Sequence, residues 1–310
     1  MKTSGAKGTR SRMGVVNNGI RRRARLLGQA LRPPQLLSTP APEKSRIMEA
    51  AQAPRPPKRT QTVDYNVPIM PRQVESPVFV IASVRSGSTL LRMLLNSHSR
   101  IRAPHELHLR TVNVKLTPGF SQESMLESGL DEVELEHVLW DRVLHLELLR
   151  SGKQIIVDKT PGNVFVWERL HYAWPKAKFL FLLRHPEGVV SSLENRETNT
   201  ATRAALEANA LKYFKPLEEA RRTLDGLTLR YEELTAEPER VTRDVCAYLG
   251  VEWEPGMLDY GEHDHGRFVP NLGDRSDTIK SGRIQAARTA GNADALSPRL
   301  AEYATAWGYG

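Results

Sequence analysis

Short apolar runs and stretches of helical spacing alternate along the chain from about residue 76 onward. Apolar, often β-branched runs that are typical of buried strands occur at 78–81, 154–158, 178–183 and 227–231. Segments with helical spacing or composition lie between and after them, at 90–96, 121–150, 163–174, 187–194, 201–223, 236–249 and 296–307. This alternation predicts an α/β fold with a central parallel sheet and helices on both faces.

The first 74 residues do not share this pattern. They are rich in Arg, Pro, Ala and Ser and have no apolar period, which indicates a disordered N-terminal extension. We therefore predict two parts, a basic extension at 1–74 and a folded domain at 75–310. Within the domain, residues 254–282 are polar and are expected to form loops.

The charge of the chain is concentrated in its extension. The formal net charge is +8, yet residues 1–76 hold 15 Lys/Arg and 4 Asp/Glu, a charge of +11, so residues 77–310 carry −3. A basic tail can bind RNA or an anionic membrane, which leaves open a non-enzymatic binding module as an alternative function. The domain itself is slightly acidic and has no aromatic ladder for stacking bases, so we expect no nucleic acid to bind there.

Cysteine content and hydropathy bear on the location of the protein. Cys246 is the single cysteine, so no disulfide framework is possible and a cytoplasmic location is expected. No stretch approaches the roughly 18–20 apolar residues that cross a bilayer, and we expect no transmembrane segment.

The most informative segment is the strand–turn–helix at residues 77–92. A tight turn at Arg85-Ser86-Gly87-Ser88-Thr89 separates the first predicted strand from the first helix. Free backbone N–H groups at such a helix start favour a phosphate or sulfate group. The nucleotide-triphosphate loop places a lysine directly after its last glycine, whereas this loop has its cation, Arg85, before the glycine. The turn predicts an oxyanion site, with an ATP-dependent phosphotransferase of the P-loop class as the alternative.

Three further polar clusters follow predicted strands, and carboxyl ends of parallel strands share one edge of a sheet. They are Asp158-Lys159-Thr160-Pro161, Arg184-His185-Pro186 with Ser192, and Tyr231-Glu232-Glu233. Each is a weak signal alone, but their common placement predicts a single site. The polar residues His263, Asp264, His265 and Asp274 lack firm metal-ligand spacing, so we predict no metal site there.

Two of these motifs resemble those of the sulfotransferases that use 3′-phosphoadenosine 5′-phosphosulfate (PAPS). The segment Arg85–Thr89 is similar to the family's 5′-phosphosulfate loop, and Arg184-His185-Pro186 with Ser192 is similar to its 3′-phosphate motif. The resemblance implies a P-loop-like three-layer α/β sandwich and transfer of the sulfuryl group of PAPS to an acceptor hydroxyl or amine. It implies no metal.

The resemblance also implies roles for residues outside the two motifs. The spacing from Arg85 to Glu106 is similar to that of the tyrosylprotein sulfotransferases, in which a glutamate is the proposed base. Lys159 matches a lysine that polarises the bridging oxygen, and Tyr231 resembles a tyrosine near the nucleotide. Lys280 lies in a segment similar to a C-terminal loop of bacterial members that closes on the cofactor.

Two points stay open at the level of sequence. Cytosolic members use a histidine base, so His105 and His108 compete with Glu106 for that role. The chain lacks the disulfides of the secretory-pathway enzymes, so protein tyrosine is not implied as the substrate. We expect a small-molecule or carbohydrate acceptor.

Overall fold

The architecture comes from a computed structural model, which describes residues 70–195, 199–266, 274, 276–287 and 296–309. By its internal contacts the chain divides into residues 1–60 and 61–310. The described residues all belong to the second unit. The extension predicted at 1–74 therefore lies almost wholly outside them.

A five-stranded parallel sheet forms the centre of this unit, with strand order β2-β3-β1-β4-β5. The strands are β1 (Val78–Ala82), β2 (Ile101–Arg102), β3 (Ile155–Lys159), β4 (Lys178–Leu183) and β5 (Leu227–Arg230). Val80 pairs with Lys159 on one side of β1 and with Leu180 on the other. The predicted parallel sheet is confirmed, and β2 is an addition at its edge that the apolar pattern was too short to indicate.

Helices connect these strands and follow the last one. They are α1 (Ser88–Ser97), α2 (Phe120–Glu127), α3 (Glu132–Ser151), α4 (Trp167–Ala173), α5 (Pro186–Glu194), α6 (Arg203–Thr223), α7 (Tyr231–Ala236), α8 (Pro238–Leu249), α9 (Asp277–Lys280) and α10 (Pro298–Ala306). None of these helices has both the length and the apolar composition needed to cross a membrane.

Alternate residues of the strands supply two separate cores, one on each face of the sheet. Phe79 and Ile81 point into a core that also holds Trp140 of α3 and Phe214 of α6. Their neighbours Val78, Val80 and Ala82 belong to the second core, which is built largely from α1 and α8. The sheet is buried on both faces, and this explains why its central strands have nearly continuous apolar sequences.

Residues just before the predicted boundary at residue 75 contact helix α3. The Asp141 carboxylate of α3 accepts hydrogen bonds from the backbone N–H groups of Gln73 and Val74, at 2.7 and 3.0 Å. Arg72 forms an ion pair with Glu134 of the same helix at 2.9 Å. These contacts fix residues 72–74 against α3, and such long-range pairing has no signal in a local apolar pattern.

Candidate active site

The turn between β1 and α1 is shaped by a close approach of its glycine to an aromatic ring. Gly87 has a φ of 86°, and a Cβ at this position would lie 2.1 Å from Cδ2 of Tyr231. Only glycine therefore fits between the turn and the ring. The first helical hydrogen bond of α1 runs from the Leu91 N–H to the Gly87 carbonyl, so the N–H groups of residues 88–90 are left without partners inside the helix.

Arg85 lies at the centre of this site and connects it to a distant motif. Its Nε donates to Oγ of Ser192 at 3.1 Å, and its carbonyl accepts from Nη1 of Arg184 at 2.7 Å. Its Nη2 lies 3.4 Å from Oδ2 of Asp274. The loop and the Arg184–Ser192 motif, about a hundred residues apart in sequence, therefore meet in one place.

The hydroxyl residues of the turn have different surroundings. Ser86 is fully buried, and its hydroxyl donates to the Ser83 carbonyl at 2.8 Å, which holds the turn together. Oγ1 of Thr89 accepts from the backbone N–H of Asp274 at 3.0 Å. Ser88 is also buried, as the first residue of α1.

Arg184 packs against an aromatic ring. Its guanidinium lies 4.4 Å from the centre of the Tyr231 ring, the same ring that packs on Gly87. Burial lowers the pKa of Arg184 from its usual value, while the nearby Tyr231 and Glu232 oppose that shift. Tyr231 opens helix α7 and is not the last residue of a strand, so the strand predicted over 227–231 is one residue too long.

Glu232 ties the Arg184 loop to residues near the end of the described chain. One carboxylate oxygen accepts from the His185 N–H at 3.1 Å, and the other accepts from the Tyr309 hydroxyl at 2.6 Å. The His185 and Tyr309 rings are 5.2 Å apart, edge to face. A single carboxylate thus fixes the main chain beside Arg184.

A buried ion pair lies at the end of β3. Nζ of Lys159 donates to Oε1 of Glu106 at 2.5 Å, and Nε2 of His108 lies 3.2 Å from the other oxygen of that carboxylate. Lys159 is 1% exposed, and burial lowers its pKa, against the opposing effect of Glu106. These are the residue types needed to take a proton from a hydroxyl and to neutralise a leaving oxyanion.

Asp158, beside this pair, plays a structural role. Its carboxylate is fully buried and accepts hydrogen bonds from Thr160 and Asn163, at 2.9 and 3.0 Å. Burial raises its pKa in spite of these bonds. Asp158 thereby fixes the backbone that follows Lys159.

Backbone strain in the described residues is confined to this region. The two non-glycine residues with positive φ in the described part of the chain are Arg85, at 60°, and His108, at 50°. Such conformations cost about 1–2 kcal/mol each. One lies in the turn at Arg85–Thr89 and the other beside Glu106, and both places are among those selected from the sequence.

One predicted residue, Lys280, is not brought to these clusters. Lys280 is half exposed, and its ammonium pairs with Asp277 of its own helix at 3.3 Å. No hydrogen bond or ion pair among the described residues joins Lys280 to the turn. His105 lies beside Gly266, where an added Cβ would be 3.3 Å from its Nε2, and His108 contacts the Glu106 carboxylate.

Sequence reasoning missed two buried or charged residues close to the site. Asp274 contacts both Arg85 and Thr89, whereas the sequence places it in a polar loop and offers it only as a metal ligand, a role that its spacing does not support. Arg92 of α1 is 3% exposed, and burial lowers its pKa to about 10. The sequence did carry a signal for Arg92, because it is a lone arginine in the apolar helix after the turn, and a buried arginine needs a polar partner.

Comparisons with known proteins agree with this geometry. A family model described as "Sulfotransferase family" matches residues 77–255, which is more than half of the chain. The nodulation protein NoeE of Sinorhizobium fredii is 27% identical over 208 residues, covering 56% of this chain and 50% of the relative. Protein-tyrosine sulfotransferase 2 of Gallus gallus is 25% identical over 205 residues, covering 61% and 55%. The chain spans about half the length of these curated relatives.

Among solved structures, the sulfotransferase domain from the curacin biosynthetic pathway matches with a TM-score of 0.60 and 22% identity. The match covers 78% of this chain and 99% of that domain. A sulfotransferase domain from the Synechococcus PCC 7002 olefin synthase matches with a TM-score of 0.57, 21% identity and the same coverage. The P-loop-like fold implied by the sequence motifs is thereby confirmed.

Proposed function

The chain belongs to the sulfotransferase family, and we propose that it moves the sulfuryl group of PAPS to an acceptor hydroxyl or amine by in-line transfer. One observation carries this proposal. Arg85 of the turn contacts Ser192 through its side chain and Arg184 through its carbonyl, at 3.1 and 2.7 Å. A loop suited to one anionic group therefore meets a motif suited to another, and this contact supports a ligand that carries both groups.

The residues present suit such a ligand. The free N–H groups of residues 88–90 and the guanidinium of Arg85 offer donors to the 5′-phosphosulfate end. Arg184 and Ser192 are assigned to the 3′-phosphate, and Tyr231 to packing beside the nucleotide. Ser86, Gly87, Ser88 and Thr89 form the cradle, in which the missing side chain of Gly87 leaves room for the Tyr231 ring. Lys280 stays a predicted phosphate contact.

The nucleotide supplies the sulfuryl group, and negative charge develops on its bridging oxygen as the group leaves. We assign Lys159 to that developing charge, because its ammonium lies buried at the strand end. We assign Glu106 to accept the proton of the acceptor, with His108, 3.2 Å away, as the competing base. His105, which directly precedes Glu106, stays the other competing base.

The proposal includes no metal, because Arg85 and Lys159 are assigned the charge that a metal would otherwise balance. A small-molecule or carbohydrate acceptor is consistent with it. The cytoplasmic location expected from the single cysteine stays a prediction.

Nucleotide binding tests the proposal directly. Adenosine 3′,5′-bisphosphate should raise the melting temperature of the purified chain, and both Arg85→Ala and Arg184→Ala should abolish that shift. Arg299→Ala, which removes an exposed arginine of α10, serves as the matched control and should keep it. Stabilisation by Mg·ATP, with none from the bisphosphate, would instead establish the P-loop phosphotransferase.

A further inference from the structure

The chain segment that carries Glu106 runs alongside the segment that carries Lys159. Three contacts join them: Glu106 with Lys159 at 2.5 Å, the His108 N–H with Oγ1 of Thr160 at 3.3 Å, and Arg110 with Gly162, where an added Cβ would be 2.6 Å from the arginine Nε. Arg110 therefore lies along the same edge as the buried ion pair. Four residues of chain span at most about 14 Å, which bounds the distance between the Cα atoms of Glu106 and Arg110.

Arg110 is exposed but held in place. Its Cζ lies 5.6 Å from the centre of the Phe165 ring, and its side chain packs on Gly162. Among the described residues, no carboxylate lies within ion-pair distance of its guanidinium. A positioned guanidinium with free donors is suited to a carboxylate, sulfate or phosphate group.

An apolar surface adjoins this cation. Phe165 is 43% exposed, and its ring lies 4.9 Å from that of Tyr213. The pKa of the Tyr213 phenol is affected by both Arg110 and Glu106. Burial raises this pKa, the charge of Arg110 lowers it, and the charge of Glu106 raises it further. Tyr213 thus lies within electrostatic range of both Arg110 and Glu106.

We propose that Arg110, Phe165 and Tyr213 form an acceptor subsite for a hydroxylated compound that has an apolar ring and an anionic group, such as a phenolic acid. This inference rests on the proposed function, whose proton acceptor and leaving-group cation are Glu106 and Lys159. The ring packs on Phe165 and Tyr213, and the anionic group binds Arg110. In the transfer, the acceptor oxygen bonds to sulfur, the bond from sulfur to the bridging oxygen breaks, and the hydroxyl proton passes to Glu106. Adenosine 3′,5′-bisphosphate leaves.

Two phenols that differ in charge test the subsite on the full chain with PAPS. The probes are 3-(4-hydroxyphenyl)propionate and the neutral 4-ethylphenol. We expect the acid to have at least a tenfold higher kcat/KM than the neutral phenol. Arg110→Ala should raise the KM for the acid at least tenfold and leave the KM for 4-ethylphenol unchanged within twofold. Phe165→Ala should raise both KM values alike, and Arg110→Lys should restore part of the preference.

Controls separate this inference from the function on which it rests. Arg299→Ala should keep the preference, and every variant should keep its thermal shift with adenosine 3′,5′-bisphosphate. A chain that sulfates both phenols equally well, or an Arg110→Ala variant that keeps the preference, overturns the subsite and leaves the proposed function in place. If neither phenol reacts, calorimetry of the acid with the enzyme–bisphosphate complex decides: absence of binding, or binding that does not depend on Arg110, overturns the subsite. Failure to bind the bisphosphate at all overturns the proposed function.

Discussion

Replacing Gly87 with alanine tests whether the turn at Arg85–Thr89 requires a residue without a side chain at this position. The alanine would adopt a φ of 86°, which costs about 1–2 kcal/mol for a residue with a Cβ. Its Cβ would also lie 2.1 and 2.5 Å from two carbons of the Tyr231 ring. Because that ring also contacts the Arg184 guanidinium, it has little freedom to move, and overpacking of this kind costs about 1–3 kcal/mol.

The two contributions together predict that Gly87→Ala lowers the free energy of unfolding by about 2–5 kcal/mol. Gly152→Ala is a matched control, because Gly152 has a φ of 66° and no atom within 4 Å of an added Cβ. It should lose only the conformational part, about 1–2 kcal/mol. Urea unfolding of the wild type and the two variants measures these differences.

The double variant Gly87→Ala/Tyr231→Ala isolates the steric part. Measured against Tyr231→Ala alone, the alanine at position 87 should cost no more than Gly152→Ala does, since the ring that it would strike is gone. The reasoning is refuted if Gly87→Ala is no more destabilising than Gly152→Ala. It is also refuted if removal of the ring fails to reduce the cost.

Three further changes probe the base, the Arg184 loop and a buried histidine. Glu106→Gln should keep the affinity for adenosine 3′,5′-bisphosphate within twofold and lower turnover about 10²–10⁴-fold in a sulfate-transfer assay; full turnover would move the base to His108 or His105. Tyr309→Phe removes the hydroxyl that donates a hydrogen bond to Glu232. Calorimetry should show that this variant binds the bisphosphate about fivefold more weakly. As a control, Tyr303→Phe removes a hydroxyl that has no described hydrogen bond and should bind the bisphosphate as the wild type does. If the two variants weakened bisphosphate binding equally, a role for the Glu232 contact would be excluded. Burial lowers the pKa of His265 to about 4, so the unfolded chain binds the proton first as pH falls below about 6.5. Urea unfolding should therefore show a loss of roughly 2 kcal/mol between pH 6.5 and 4.5 from this group, and a His265→Gln variant with an equally steep loss would contradict it.

The local pattern of the sequence was enough to predict the sheet and the turn. The runs at 78–81 and 178–183 became adjacent central strands, and the turn at Arg85–Thr89 became the start of α1. A central strand buried on both faces must be apolar at every position, and a tight turn into a helix needs glycine at one position. These are requirements within a few residues, so they can be read from a single chain.

Contacts between distant segments were decided only in the tertiary structure. The strand β2 is two residues long and exists because β3 offers it an edge. Asp274 meets Arg85 from a polar loop, and Tyr231 packs on Gly87 from the start of a helix. The sequence around each of these residues does not indicate which distant residue it contacts.

The candidate chemistry is divided in the same way. The residue types and their positions after strands were visible in the sequence, because the carboxyl ends of parallel strands always share one edge. The pairing of Glu106 with Lys159, the contact of His108 with that carboxylate, and the position of Arg110 beside Phe165 were not visible. They depend on how the loops after β2 and β3 pack against each other, and that packing is a property of the folded chain rather than of either loop alone.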